Sequence, residues 1–200
     1  MDHLRFSGKS ETEQRQALEA IIRSEPVLMQ VLEGLREADL PDWILVAGAL
    51  YNSVWNQLTG RPSLTGIKDV DVFYFDDSDL SYEAEDRVIG EISARFPDLP
   101  LPVETRNQAR VHLWFPKKFN QPFAPLSSSV EMLGRYASKT HAVAVKLETN
   151  DSLSVYAPFG LDDIFSFRVV PNHVLENAIA HTQKGARARQ IWPELTVEPW

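Results

Sequence analysis

The stretch "GIKDVDVFYFDDSD", residues 66–79, constrains the fold of this chain most tightly. Residues 68–75 read as a strand. Side chains alternate along a strand, so Asp69 and Asp71 share one face and Val70 and Val72 the other. Two carboxylates a few ångströms apart repel, and partial burial strengthens the repulsion. An apolar strand that carries both needs either water at its end or a cation between them. Magnesium-like ions prefer hard oxygen ligands, usually one or two carboxylates together with substrate phosphates. Two readings therefore stand: an edge strand with solvated acids, or a divalent-metal site. Asp76, Asp77 and Asp79 are separate. With Ser78 they form a turn whose side chains bond nearby backbone, and Ser81 is positioned to cap the next helix.

The surrounding chain supplies helices and further strands. Residues 11–23 and 26–38 read as helices; in the second, Val27, Val31 and Leu35, with Leu28 and Leu32, form an apolar stripe and Pro26 suits the first turn. "WILVAGAL" (43–50) reads as a strand running into Gly48, with a helix from about Ala49 to just before Gly60. A helix follows Ser81, its inner face lined by Ala84, Val88, Ile92 and Phe96. "VET" and "ARVHLWF" read as one or two strands, which would put Arg110 and His112 on one face. Residues 129–137 read as a short helix. "AVAVKLE" and "SLSVYAP" alternate about "TND" as a hairpin does. Residues 173–190 read as a last helix with Val174, Ala178 and His181 on one side. The expected class is α+β, a mixed sheet flanked by helices, in a single domain spanning 1–200 with a helical N-terminal part over 1–40.

Composition narrows the chemistry. The chain has no cysteine, which excludes disulfides, thiolate metal sites and cysteine nucleophiles. Its net charge of −8 gives no general attraction to nucleic acid or to an anionic membrane, and a local basic groove is the only route to either. No stretch approaches the roughly 20 apolar residues that span a bilayer. The polar start lacks a signal peptide's apolar core, so the expectation is a cytoplasmic protein without a membrane partner.

Upstream of the paired aspartates, a strand that stops at Gly48 and enters a helix presents free backbone amides. Those amides and the helix dipole favour phosphate, and glycine lets it approach closely. Neither the dinucleotide-binding glycine pattern nor the P-loop pattern occurs. The order strand, glycine, helix, then strand with D-x-D resembles the superfamily of DNA polymerase β and the CCA-adding enzymes. More narrowly, "AGALYNSVWN", "GIKDVDVFYFD", "VETRNQARVHLWF" and "YAPFGLDDIFSFRVVPN" resemble a bacterial nucleotidyltransferase-like family formerly catalogued as a domain of unknown function. The resemblance covers roughly residues 40–175.

The resemblance implies a polymerase β-like fold and two-metal transfer of a nucleoside monophosphate from an NTP to an acceptor hydroxyl, with Mg²⁺ or Mn²⁺. It assigns metal-binding and catalytic roles to Asp69 and Asp71, and to a third acid on a neighbouring strand. Glu104 is the only acid in the "VETRNQARVH" segment and takes that position. Nucleotide and phosphate contacts fall to Gly48, Ala49, Asn52, Ser53 and Arg110. Where the superfamily often carries Gly-Ser or Gly-Gly, this chain has Gly48-Ala49, and the next hydroxyl is Ser53, one turn further on. The acceptor stays open among RNA, protein and a small molecule.

Other residues divide between structure and site. Arg110 suits either a triphosphate or one of the site acids, and Lys146 either phosphate or protection of a sheet edge. Trp55 is expected in the core. His112 is expected to be structural. Lys68 is expected to face away from the D-x-D pair. Asp162 and Asp163 are first-turn helix acids, stabilised by the dipole. "KGARARQ" (184–190) is the one basic cluster, read as a solvated helix face or an RNA contact. Two further functions share the D-x-D signature or the fold: a nucleotide-sugar glycosyltransferase, and a catalytically silent nucleotide-binding or antitoxin-like module.

Overall fold

The computed structural model of the protein describes residues 2–200. Two helices come first, α1 (Glu11–Arg23) and α2 (Pro26–Glu37). Ser10 caps α1 reciprocally with Glu13: each side chain bonds the other residue's backbone amide. α2 has no side-chain cap; Pro26 opens it, where the missing N–H costs nothing.

The sheet then builds outward from its middle. β1 (Ile44–Val46) is the central strand and runs into α3 (Gly48–Thr59). β2 (Val70–Tyr74) returns antiparallel to β1; α4 (Tyr82–Ala94) then crosses to β3 (Val103–Asn107), which lies parallel to β2. β4 (Ala144–Leu147) pairs antiparallel with the other side of β1, and β5 (Leu153–Tyr156) closes the hairpin expected around "TND". The strand order is β3-β2-β1-β4-β5. This is the mixed α+β sheet the sequence predicts.

Alternation in the strands creates two cores. Leu45, Val70, Val72, Val145 and Leu147 face the large one, where Leu18, Ile22, Leu28, Leu32 and Leu35 of α1 and α2 and Trp55 of α3 pack. Ile44 and Val46 face a smaller one with Ala47, Leu133, Ala142 and Ala144. Each fully buried aliphatic side chain contributes about 1.5–3 kcal/mol. α3 ends where expected, on Gly60 in the left-handed conformation (φ 70°).

Two expectations are corrected. "ARVHLWF" is not a strand: after β3 the chain makes a 3-10 turn (Gln108–Arg110) and enters α5 (Val111–Phe119). Asn107 caps that turn, its side chain accepting from the Ala109 amide (3.0 Å). The last helix, α7, is Ala178–Ile191, so Val174 lies before it and is exposed. Between hairpin and α7 lie the short α6 (Asp162–Phe165) and β6 (Arg168–Val169). β6 pairs parallel with the C-terminal β7 (Thr196–Val197).

Candidate active site

The turn from β1 into α3 bends sharply at Ala47, whose backbone (φ 54°, ψ −111°) lies where L-residues are strained. The Ala47 amide donates to the Val143 carbonyl (2.8 Å), tying the turn to the chain beside β4. Beyond it, the Gly48 and Ala49 amides begin α3 with no intrahelical acceptor. A Cβ built on Gly48 would stand in open space, with only the Tyr51 hydroxyl near, at 3.8 Å. Neither packing nor backbone angle demands glycine here. What its missing side chain leaves open is the approach to the helix head.

That approach is a cleft of about 560 Å³, lined among others by Gly48, Asn52, Asp69, Asp71, Lys184 and Arg187. Val46 of β1 is the register partner of Asp71, so the helix head and the carboxylate strand are neighbours by pairing. The loop before β2 is held from α3: Asn56 donates to the Thr65 carbonyl (2.9 Å) and Asn52 to the Gly66 carbonyl (3.4 Å). Gly66 has φ +74°, and a Cβ there would meet the Trp192 ring at 2.4 Å. Only glycine fits, and the fit sets where Asp69 stands.

Asp71 is half-buried, and its pKa is pushed up to about 6. Burial is the largest cause, followed by the Asp69 and Glu104 charges; Lys184 and Arg106 partly offset them. Glu104 is the direct register partner of Asp71 across the parallel β2–β3 pair. The neighbouring strand therefore carries a third acid beside the pair. Its carboxylate, however, is exposed and lies 3.3 Å from the Arg106 guanidinium. Among the described residues no three carboxylate or imidazole groups converge closely enough to hold one ion.

The opposite wall is basic and comes from α7. Lys184 and Arg187, one turn apart, line the cleft. Lys184 keeps solvent access; crowding by the surrounding protein lowers its pKa, while Asp71 and Asp69 pull it back up. α7 is held across the cleft by Trp192, whose indole N–H donates to Asn56 (3.1 Å) and whose ring meets Trp55 edge-on at 5.2 Å. The stretch 184–190, expected as a solvated helix face or an RNA contact, is largely exposed, and its Lys184 and Arg187 also line the cleft that holds the carboxylates. The three-residue spacing of these cations was the available signal.

Aromatic rings complete the floor. Tyr51 stacks on His141 at 4.6 Å, and Tyr136 stacks on Phe73 at 6.4 Å. Burial keeps His141 neutral, with its pKa lowered to about 3. Burial, with the Asp71 charge, raises both tyrosines above the ordinary phenol value.

The remaining expected site residues lie elsewhere or are otherwise engaged. Arg110 does not line the cleft: its guanidinium pairs with buried Glu85 of α4 and donates to the Leu80 carbonyl (3.0 Å). Ser53 is buried, its hydroxyl donating to the Ala49 carbonyl (2.7 Å), and Ala49 offers only backbone. Lys68 lines the cleft after all, because the strand starts at Val70 and alternation does not reach back to it. Lys146 lies on β4, which is not an edge strand, with its ammonium over the Trp43 ring (5.7 Å). Trp55 is in the core as expected. Asp162 is structural, accepting from the Gly8 amide (2.7 Å) and Gln14 (2.8 Å).

A glycine-headed helix facing a D-x-D strand in a mixed sheet defines a nucleotidyltransferase-type fold. The chain belongs to the nucleotidyltransferase family, whose sequence model matches residues 33–197. It is similar to a solved protein whose NMR structure reveals a CCA-adding enzyme head domain. That match has TM-score 0.74 and 28% identity, covering 93% of this chain and 96% of the other. Two larger structures share the fold. One is the Thermotoga maritima CCA-adding enzyme complexed with tRNA (TM-score 0.53, 17% identity, 90% of this chain and 42% of that one). The other is a CCA-adding enzyme with CTP (TM-score 0.54, 16% identity, 92% and 43%). This chain spans less than half the length of either. No curated protein matches the sequence. No helix among the described residues is long and apolar enough to cross a membrane. The family and fold do not support the sugar-transfer reading.

Proposed function

We propose that the protein transfers a nucleoside monophosphate from an NTP to an acceptor hydroxyl. The observation that carries this is the placement of Asp71, crowded by Asp69 and Glu104, across a cleft from the open head of α3. Two hard carboxylates on one face, with a third at the register position beside Asp71, suit a divalent cation. Asp69 and Asp71 would hold it, with Glu104 completing the set once it leaves Arg106. Bound Mg²⁺ or Mn²⁺ supplies charge neutralisation at the phosphates and acidifies the attacking hydroxyl.

The chain's own groups do the rest. The Gly48 and Ala49 amides receive phosphate oxygens, and Lys184 and Arg187 balance the triphosphate charge from the other wall. The acceptor oxygen bonds to the α-phosphorus, the bond from that phosphorus to the bridging oxygen breaks, and pyrophosphate leaves with the electron pair. The hydroxyl proton passes to water in the cleft. In this reading Arg110 and Ser53 have no part. Asn52 holds the carboxylate loop.

A second reading, nucleotide binding without turnover, draws on one observation: Glu104 lies against Arg106. Titration calorimetry with Mn²⁺ and each NTP tests the site itself. The wild type should bind NTP in a metal-dependent way, and Asp71→Asn should abolish the metal dependence. A wild type that binds no NTP in the presence of metal contradicts both readings.

A further inference from the structure

We propose that a second groove, between the turn after β2 and α4, binds a linear aliphatic polyamine through ammonium groups at both ends of a hydrocarbon chain. The groove encloses about 350 Å³ and shares no lining residue with the cleft, and the inference rests on no part of the transfer reading. Tyr74 forms its floor. Alternation along β2 turns this side chain to the face opposite Asp71. Tyr74 is only 2% exposed, yet among the described residues its hydroxyl has no hydrogen-bond partner and is not sealed from the groove. Burial, and then the Asp76 charge, pushes its pKa up to about 12, so the group is a neutral phenol at physiological pH. A buried hydroxyl of this kind ordinarily meets a polar partner.

The walls supply the charge. Asp76 and Asp79 stand on the turn, and each spends its Oδ1 on the turn itself, accepting from the Ser78 amide (2.9 Å) and the Ser81 amide (2.9 Å). Asn107 of β3 fixes the Asp76 backbone, donating to its carbonyl (2.8 Å) and accepting from its amide (3.2 Å). Both carboxylates are thereby held in place with Oδ2 left over. Glu91 lines the groove from α4, one turn beyond Arg87. Among the described residues none of these three acids is ion-paired. Three carboxylates against the one guanidinium leave the groove with two negative charges.

The spacing selects the ligand. No three such groups among the described residues converge on one ion, so a lone metal cation leaves part of the charge unmet. Ala84 and Val88, one turn apart on α4, place an apolar strip along the same groove. Glu91 lies about 10 Å further along the helix axis than Ala84. A chain with an ammonium at each end matches this order. One ammonium donates to the Asp76 and Asp79 carboxylates and the Tyr74 oxygen, the methylenes cover Ala84 and Val88, and the other ammonium meets Glu91. A monoamine can satisfy only one end.

The test is titration calorimetry at constant ionic strength with butylamine, putrescine, spermidine and Mg²⁺. Wild type should bind putrescine, spermidine or both saturably, and at least tenfold more tightly than butylamine or Mg²⁺. Asp71→Asn should leave that affinity unchanged, since its carboxylate belongs to the cleft. Glu91→Gln should bring the affinity down toward that of butylamine, and Tyr74→Phe should weaken it several-fold; thermal melts establish that both variants are folded. Glu91 is exposed, so its variant tests the groove even where loss of the Tyr74 hydroxyl disturbs the core. Absent saturable binding at millimolar amine, equal affinity for butylamine or Mg²⁺, or an unaffected Glu91→Gln would each overturn the proposal. So would an affinity lost in Asp71→Asn, which would place the amine in the cleft. Failure of NTP binding counts against the transfer reading and leaves this result untouched.

Discussion

Metal-free protein at neutral pH holds Asp71 ionised against Asp69 and Glu104, in a place where burial already favours the acid form. Its pKa in the fold, about 6, lies above the ordinary 3.8. The folded state therefore binds this proton more readily than the unfolded chain. On this residue's account stability is highest below pH 4 and is lost as pH rises through 6. His141 has the opposite sign. Its pKa falls from 6.5 to about 3 in the fold, so its contribution is complete above 6.5 and is lost as pH falls. Between pH 6 and 4 the two oppose each other. Asp71→Asn removes the carboxylate penalty, which is on the order of 2 kcal/mol for a shift of this size. In chelator at pH 7.5 this variant should melt about 5 °C above wild type, the gap closing toward pH 4. Thermal melts across that range check it. With Mn²⁺ the order should reverse, because only the wild type gains from binding the ion.

At the scale of elements, what was legible was what is local. The β4–β5 hairpin announces itself by alternation about "TND", and α3 by strand-like residues giving way to Gly48 and stopping at Gly60. The β3–α5 junction was not legible. "ARVHLWF" alternates well enough to pass for a strand, and Pro116 argues for a loop, yet the segment is helical from Val111 to Phe119 with Pro116 inside. What decides the matter is remote. The Asn107 amide and Arg110 both bind Glu85, which belongs to α4. Arg110 is thus a clamp between α4 and α5 and not a phosphate ligand. Arg110→Met should leave Glu85 buried and unpaired and cost about 3–5 kcal/mol of stability. Its folded fraction should keep the NTP affinity of wild type. A denaturant midpoint together with NTP titration separates the two roles: weakened NTP binding with unchanged stability would restore Arg110 to the site.

The cleft belongs to the whole molecule. Strand periodicity suggested the pairing of Asp69 with Asp71, and both do line the cleft, although the strand begins only at Val70 and Asp69 stands on the loop before it; Glu104 was reachable through the family resemblance. The β2–β3 register sets Glu104 opposite Asp71. The basic wall could not be read in the same way. Lys184 and Arg187 face the carboxylates only because Trp192 packs on Gly66 and Trp55 and bonds Asn56, contacts that span more than half the chain. Periodicity places these cations on one side of α7 but says nothing about what that side meets. The Lys184→Ala/Arg187→Ala double variant should raise the KM for NTP tenfold or more, with a smaller change in kcat, since its loss falls on triphosphate binding. Steady-state kinetics over a range of NTP concentrations checks this; equal losses in kcat and kcat/KM would move the two cations into the transition state.

Transfer of the α-phosphate is the most direct test of the whole arrangement. The protein is incubated with Mg²⁺, cell extract and NTP labelled either at the α- or at the γ-phosphate. Label from the α position should pass to an acceptor, pyrophosphate should appear in equal amount, and both should vanish in Asp71→Asn. Transfer of γ-label, or α-label transfer that survives Asp71→Asn, would contradict the assignment of this cleft.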